Sequence, residues 1–188
     1  MAEGYGCGNG RRNGGQQWID SCVMHGMESP QPASIHKFSY IGLQYYSLTW
    51  CCCDYQHLFT QRERVDFVRA QFLRASVETN VVNIAYCFMS DHVHQLVKGD
   101  ACDADAKAFI NRAKQYSGFY FKAEFGMRLW SRKGFNRVLL QDQDPRAAAQ
   151  YIIENPVRAC LATRVDDYPY VGSERYTLEQ LKQWAYSL

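Results

Sequence analysis

The chain changes hydrophobic period several times, and each change marks an element. Between Phe38 and Tyr55 the residues Tyr40, Tyr45, Tyr46, Leu48, Trp50 and Cys52 form an aromatic, β-prone run that predicts a first strand. From Arg62 to Ala75 the apolar positions Val65, Val68, Phe72 and Leu73 fall at helical spacing. Val81 to Tyr86 and His92 to Val97 are two short apolar runs joined at Met89-Ser90-Asp91, the pattern of a hairpin. Asp103 to about Phe125 returns to helical period, with Phe109, Ala113, Tyr116 and Tyr120 on one face. Asp103 and Asp105 suit the N-terminal end of that helix, and Gly126 suits its stop. Leu129-Trp130 and Phe135 to Leu140 predict a further strand, split by a basic turn at Ser131-Arg132-Lys133-Gly134.

Asp144-Pro145 offers an N-cap followed by proline at the first helical position, opening a helix through Arg146 to Glu154. Pro156 predicts its end or a kink. Thr177-Leu178-Glu179-Gln180 has the form of a capping box, and Leu178, Leu181, Trp184, Ala185 and Leu188 continue it as one apolar stripe. The order β-α-β-β-α-β-α-α predicts an α+β domain, an antiparallel sheet with helices packed on it. Residues 1–37 are rich in Gly, Asn, Gln, Ser and Pro and show no period, so an irregular leader is expected there. The expected divisions are the leader at 1–37, the main domain at 38–172 and a C-terminal helix at 173–188. That last helix reads as packing or contact surface.

Composition narrows the setting. No apolar run reaches the 18 residues of a membrane span, and Met1 to Gln17 has no apolar signal core, so a cytoplasmic protein is expected. The 8 cysteines include no Cys-x-x-Cys pair, and Cys51-Cys52-Cys53 lies in a predicted strand whose neighbours face opposite ways. Buried free thiols are the expected state. Net charge is only +2, but Lys107, Arg112, Lys114, Lys122, Arg128, Arg132, Lys133 and Arg137 face Glu124 alone in their segment. That excess suits a polyanion, and equally a solvated helix face with its loop.

His92 and His94 stand two apart on the second strand of the hairpin, so both imidazoles leave one face of the sheet. They are a ready pair of metal ligands; a pair of merely polar histidines has the same spacing. A second motif follows at Tyr151-Ile152-Ile153-Glu154-Asn155-Pro156-Val157-Arg158-Ala159. Tyr151 and Asn155 are one turn apart on a helix face, about 6 Å along the axis. If that helix crosses the sheet at the histidines, Asn155 can supply a third ligand beside the Tyr151 hydroxyl.

Together, Ala85 to Val97 and Tyr151 to Ala159 resemble the His-hydrophobic-His (HUH) and Tyr-Ile-x-x-Asn-Pro-Val-Arg/Lys-Ala motifs of the insertion-sequence-200-like single-strand DNA transposases. The branch called REP-associated tyrosine transposases is the nearest in pattern, and the likeness runs from about Tyr45 to Ser173. Gln95 and Cys160 stand where that family usually has Leu and Gly, and Ser90-Asp91 where it has Pro-Asn or Pro-Glu. The resemblance implies a ferredoxin-like nuclease palm, with His92, His94 and Asn155 holding Mg²⁺ or Mn²⁺ and Tyr151 as nucleophile. It implies transesterification of hairpin-bearing single-stranded DNA through a 5′-phosphotyrosine, by a monomer or a homodimer. Arg112, Lys114, Arg132, Lys133 and Arg137 are the expected backbone contacts. Trp130 and Phe135 suit base stacking, though Trp130 suits the core as well. Tyr116 and Tyr120, the competing helical tyrosines, are expected in the core. The alternatives are a catalytically idle DNA-binding relative with a regulatory role, and a Cys/His metal-binding protein without catalysis.

Overall fold

A computed structural model describes residues 40–138 and 143–187, and for 132–138 the backbone alone. The expected leader at 1–37 lies outside the described residues. From Ser39 onward the chain forms one compact unit. Its elements are β1 (Tyr45–Cys52), α1 (Arg62–Thr79), β2 (Val81–Phe88), β3 (His92–Gly99), α2 (Ala106–Phe125), β4 (Trp130–Val138), α3 (Pro145–Arg158), β5 (Val171–Gly172) and α4 (Leu178–Ala185). The five strands form one sheet in the order β4-β1-β3-β2-β5, and every pair is antiparallel. The α+β class expected from the sequence is the one observed.

Strand alternation divides the molecule into two cores. On one face Leu48, Trp50, Tyr86, Phe88, Val93 and Val97 pack against Val65, Val68 and Phe72 of α1 and Phe109, Ala113 and Phe121 of α2. On the other, Ile84, Ala85, Cys87 and Leu96 pack against Ala149, Ile152 and Ile153 of α3 and Leu181 and Ala185 of α4. Gln95 is wholly buried in the first layer, where its side-chain oxygen accepts a 2.6 Å hydrogen bond from the Trp50 indole. A polar side chain in this place is tolerated because it satisfies a buried indole N–H.

Several expected boundaries move. The first strand is Tyr45–Cys52 rather than Phe38 to Tyr55, because a helical turn at Cys53–Tyr55 with Asp54 and Tyr55 at positive φ ends it. α1 runs one turn past Ala75, burying Ala75, Ser76 and Thr79, and stops at Asn80 in the left-handed region. Leu73, expected on its apolar face, is exposed. α2 is capped by Asp105, whose side chain accepts from the Ala108 amide, and ends at Gly126 at φ 71°. Its buried stripe is Phe109, Ala113, Ser117 and Phe121, a strict i, i+4 ridge that leaves Tyr120 exposed and Tyr116 at the edge under Arg74. The core placement expected for Tyr120 is therefore corrected.

The expected basic turn at Ser131-Arg132-Lys133-Gly134 is instead continuous strand. Gly134 pairs with Trp50 and Trp130 with Cys52, so a bulge in β4 absorbs the extra residues. The strand's expected continuation to Leu140 lies outside the described residues. Pro156 sits inside the last turn of α3 and does not end it. So near the C-terminus the lost proline N–H deprives one carbonyl only. β5 was not expected: two residues carry no period. α4 has the full capping box, with Thr177 and Gln180 bonding reciprocally.

Trp130 is corrected from base stacking to core. It is buried, donates its indole N–H to Ser117 Oγ at 2.7 Å, and stacks on Phe72 with centroids 6.1 Å apart. None of the six described cysteines is in a disulfide, but Cys102 and Cys160 are exposed, not buried. Cys160 also has φ 55°, which explains why glycine suits this position.

Two substitutions check this packing by urea denaturation. Trp130→Ala is expected to cost about 3–5 kcal/mol, as for an aromatic removed from a core; a loss under about 1 kcal/mol would place the ring outside it. Cys160→Gly is expected to gain about 0.5–1 kcal/mol, the relief of left-handed strain less the added freedom of the unfolded chain.

Candidate active site

β3 runs between β1 and β2 at the centre of the sheet, so whatever it projects is backed by a partner strand on each side. His92, His94 and Leu96 leave the α3 face; Val93, Gln95 and Val97 leave the other. His94 is opposite Thr49 on β1 and Cys87 on β2, and His92 is opposite Cys51. The two rings meet edge to face, with centroids 4.7 Å apart and their Nε2 atoms 3.0 Å apart.

The outer nitrogens are both held. His92 Nδ1 lies 2.7 Å from Asp91 Oδ1, and His94 Nδ1 lies 3.1 Å from Thr49 Oγ1. With Nδ1 anchored on each ring, both Nε2 atoms point to a common place, the outer-shell arrangement that metal-ligating histidines require. Burial pushes His94 down to about 3 from an ordinary value of 6.5, and the neighbouring His92 pushes the same way. Its imidazole is therefore neutral, the ligating form. Burial, the largest single influence, opposes ionisation of Asp91, but the hydrogen bond and attraction of His92, with the Asp91 backbone amide and His57, together keep the carboxyl below its ordinary 3.8.

α3 reaches this place because Ala149, Ile152 and Ile153 bury one side of it on the sheet. Tyr151, half-buried, sets its ring 6.1 Å from that of His94 at an interplanar angle of 79°. Asn155 joins the group through Tyr151: its amide nitrogen donates to the Tyr151 carbonyl at 2.8 Å. That bond orients the side-chain amide by engaging its nitrogen, and leaves the oxygen for another partner. Arg158 lies over the Tyr151 ring at 5.3 Å and pairs with Glu154 at 2.9 Å, and Glu154 also accepts from Gln150.

No group of three His, Cys, Asp or Glu side chains could hold an ion among the described residues. The donors that the described residues bring together at this place are the two imidazoles, with the Asn155 amide beside Tyr151 on the neighbouring helix. Such a set adds no negative charge, fits a divalent ion, and leaves coordination positions for oxygens of a bound anion.

Other tyrosines are placed less favourably. Tyr116 and Tyr120 belong to α2 on the opposite side of the sheet, where the Tyr116 hydroxyl donates to Glu78 at 2.8 Å. Tyr168 donates to the Phe88 carbonyl at 2.8 Å, and burial raises its phenol above the ordinary range.

Of the expected cationic contacts, Arg112 and Lys114 are on α2 and so across the sheet from His92 and His94. Arg112 is engaged there with Glu78. Arg132, Lys133 and Arg137 lie in β4, and their side chains fall outside the described residues. The backbone register sets Arg137 opposite Ser47 and Phe135 opposite Thr49. Three site residues had no assigned role in the sequence reading: Thr49, Asp91 and Arg158. Asp91 could be found from its adjacency to His92, and Arg158 from its i, i+7 spacing to Tyr151. Thr49 carries no local signal, since its place beside His94 comes from strand pairing.

The depressed His94 has a thermodynamic consequence. The unfolded chain takes up a proton near pH 6.5, whereas the native ring resists it until about pH 3. Between these values the unfolded state binds more protons, so stability falls as pH falls through that window. Asp91 adds a loss in the same direction only below its ordinary 3.8. Urea midpoints in chelator are expected to drop from pH 7.5 to 4.5, and the drop should be shallower in His94→Gln. Equal slopes would mean that His94 titrates normally in the folded protein.

Comparison with known proteins completes the description. Among curated proteins none matches the chain. Solved structures similar to the chain include two transposases. A REP-associated tyrosine transposase bound to a REP hairpin has a TM-score of 0.60 at 18% identity, covering 72% of this chain and 79% of that one. A structure described as that of a candidate transposase from Deinococcus radiodurans R1 has a TM-score of 0.45 at 23% identity, covering 63% of this chain and 94% of that one. The first of these likenesses concerns the fold. The family described as IS200-like transposases matches residues 41–155, more than half of the chain and all of β1 to Asn155. The chain belongs to the IS200-like transposase family.

Proposed function

We propose that this transposase cuts and rejoins single-stranded DNA through a covalent bond to Tyr151. The observation that carries the reading is the Tyr151 ring set 6.1 Å from His94, itself paired at 3.0 Å with His92. A phenol and two convergent imidazoles, brought together from elements nearly sixty residues apart, suit phosphoryl transfer.

His92, His94 and Asn155 would hold a divalent ion, Mg²⁺ or Mn²⁺. Bound there, such an ion polarises the scissile phosphate and neutralises charge developing on it. The Tyr151 phenolate oxygen attacks phosphorus, the bond from phosphorus to the 3′ oxygen breaks, and that oxygen leaves as a 3′-hydroxyl after taking a proton. The product is a 5′-phosphotyrosine. A 3′-hydroxyl from another strand reverses the step and restores Tyr151, so the ends are joined without ATP. Arg158, over the Tyr151 ring, restricts that ring and places positive charge beside the nucleophile.

The bonded rings set the approach. Asp91 and Thr49 engage the two Nδ1 atoms, so the Nε2 atoms are the ones placed to meet an ion. The substrate is single-stranded DNA bearing a hairpin, by likeness to the relative bound to a REP hairpin. Arg132, Lys133 and Arg137 of β4 are proposed as its backbone contacts, the strand being next to β1 in the sheet. The protein would act in the cytoplasm, as a monomer or homodimer; no helix among the described residues is long and apolar enough to cross a membrane.

Incubation with Mn²⁺ and a single-stranded hairpin oligonucleotide is expected to yield a protein–DNA adduct that survives denaturing electrophoresis. Tyr151→Phe should abolish it, and His94→Ala should reduce it by about 10²-fold or more, the scale of losing an electrostatic contribution to the transition state. An adduct that persists in Tyr151→Phe would remove this tyrosine as nucleophile. An undiminished adduct in chelator would remove the ion.

A further inference from the structure

Arg158 is held in place by a ladder of side chains on α3. Gln150, Glu154 and Arg158 follow one another at i, i+4 and i+8, so they form one row along the helix. The Gln150 amide donates to Glu154 Oε1 at 3.0 Å, and Arg158 Nη2 donates to Glu154 Oε2 at 2.9 Å. Both carboxylate oxygens are engaged, which fixes the plane of the carboxylate. An isolated ion pair at this spacing on a helix surface contributes little. What sets this one apart is where it leaves the guanidinium. Its central carbon stands 5.3 Å from the centre of the Tyr151 ring, and that ring lies 6.1 Å from the ring of His94.

The bond to Glu154 uses Nη2, on a side chain that is otherwise exposed. A guanidinium is a planar fork of N–H donors that keeps its charge and matches two oxygens of a phosphate at once. A phosphate attacked by Tyr151 must come within bonding distance of the phenolic oxygen, and so within reach of this fork. We propose that Arg158 is a catalytic residue: its guanidinium pairs with a non-bridging oxygen of the phosphate that Tyr151 attacks, and Glu154 is the positioning residue that holds it there. The contact strengthens as charge builds on those oxygens in the transition state. Arg158 forms no covalent bond and keeps its protons. The bond from the Tyr151 oxygen to phosphorus forms, the bond from phosphorus to the 3′ oxygen breaks, and the same pairing serves the return step. Glu154 offsets part of the positive charge, so its contribution is to fix the plane of the fork. This inference rests on the reading of Tyr151 as nucleophile and goes beyond restraint of its ring.

The test compares the full chain with Arg158→Ala, Arg158→Lys, Glu154→Ala and Glu154→Gln. Arg158 is exposed, so its replacement leaves the packing of α3 in place. With Mn²⁺ and the hairpin oligonucleotide, single-turnover adduct formation at saturating DNA is expected to slow by about 10²-fold in Arg158→Ala, with the half-saturating concentration within about threefold of the parent. Arg158→Lys should recover only part of this, since an ammonium keeps the charge and loses the fork. Glu154→Ala should slow the step about tenfold, and Glu154→Gln should regain most of that because its side-chain oxygen still accepts. The phosphate contact itself is read in Tyr151→Phe protein in chelator. Its affinity is measured for the oligonucleotide and for the same strand with a neutral methylphosphonate at the scissile position, mapped from the strand the parent releases. The methylphosphonate should bind about tenfold more weakly, and with Arg158→Ala added the two strands should bind within about twofold of each other. A parental rate in Arg158→Ala overturns the inference. So does an equal methylphosphonate penalty with and without Arg158, which would leave this arginine as a restraint on the ring alone. If the adduct depends on Tyr151 and not on Arg158, this inference alone fails. An adduct that forms in Tyr151→Phe overturns the nucleophile reading, and the inference falls with it.

Discussion

The two-residue alternation of β3 is the constraint on which the rest depends. A strand at the centre of a sheet must bury both faces, and β3 does so with different chemistry on each. Val93, Gln95 and Val97 enter the layer beneath α1 and α2, while His92, His94 and Leu96 face α3. A one-residue slip of register would turn both imidazoles into the aromatic core and put Val93 in their place under α3. The pairings with β1 and β2 therefore fix the chemistry of the site as well as the sheet, and the apolar residues of β3 hold the histidines in place.

The second requirement is that α3 arrive over the histidines in a fixed rotation. Ala149, Ile152 and Ile153 supply this by burying one stripe on the sheet, which leaves Tyr151 and Asn155 on the flank. α4 covers the same layer with Leu181 and Ala185 and so holds α3 from behind. Within the proposed site each group is held by a neighbour: Asp91 for His92, Thr49 for His94, Arg158 for the Tyr151 ring. Such support reduces the reorganisation needed when charge develops.

Much of this was legible because it is local. Among the described residues the 2.0 and 3.6 periods located every strand but β5 and the four α-helices, and the caps at Asp144-Pro145, Gly126 and Thr177 marked true ends. The errors have local explanations too. The run Ser131 to Gly134 reads as a turn because it is polar and ends in glycine, yet pairing with β1 carries the strand through it by a bulge. Tyr120 and Phe121 compete for the same helical stripe, and packing on α1, where Phe121 meets Phe67, chose Phe121. Trp130 suited either a base or the core; Ser117, thirteen residues earlier, offered the indole N–H its partner inside.

By itself the sequence determined which residues could do chemistry and which of them share a face: the two histidines by strand alternation, Tyr151 and Asn155 by one helical turn. It could not determine what stands beside them across the sheet. Strand pairing and helix docking are long-range, with energies set by complementary surfaces that leave no periodic mark on the chain. Tertiary structure therefore decided that Thr49 serves His94. It decided that Arg112 and Lys114 lie on the far side from the site, and that the Nε2 atoms of His92 and His94 meet at 3.0 Å with the Tyr151 ring 6.1 Å from His94.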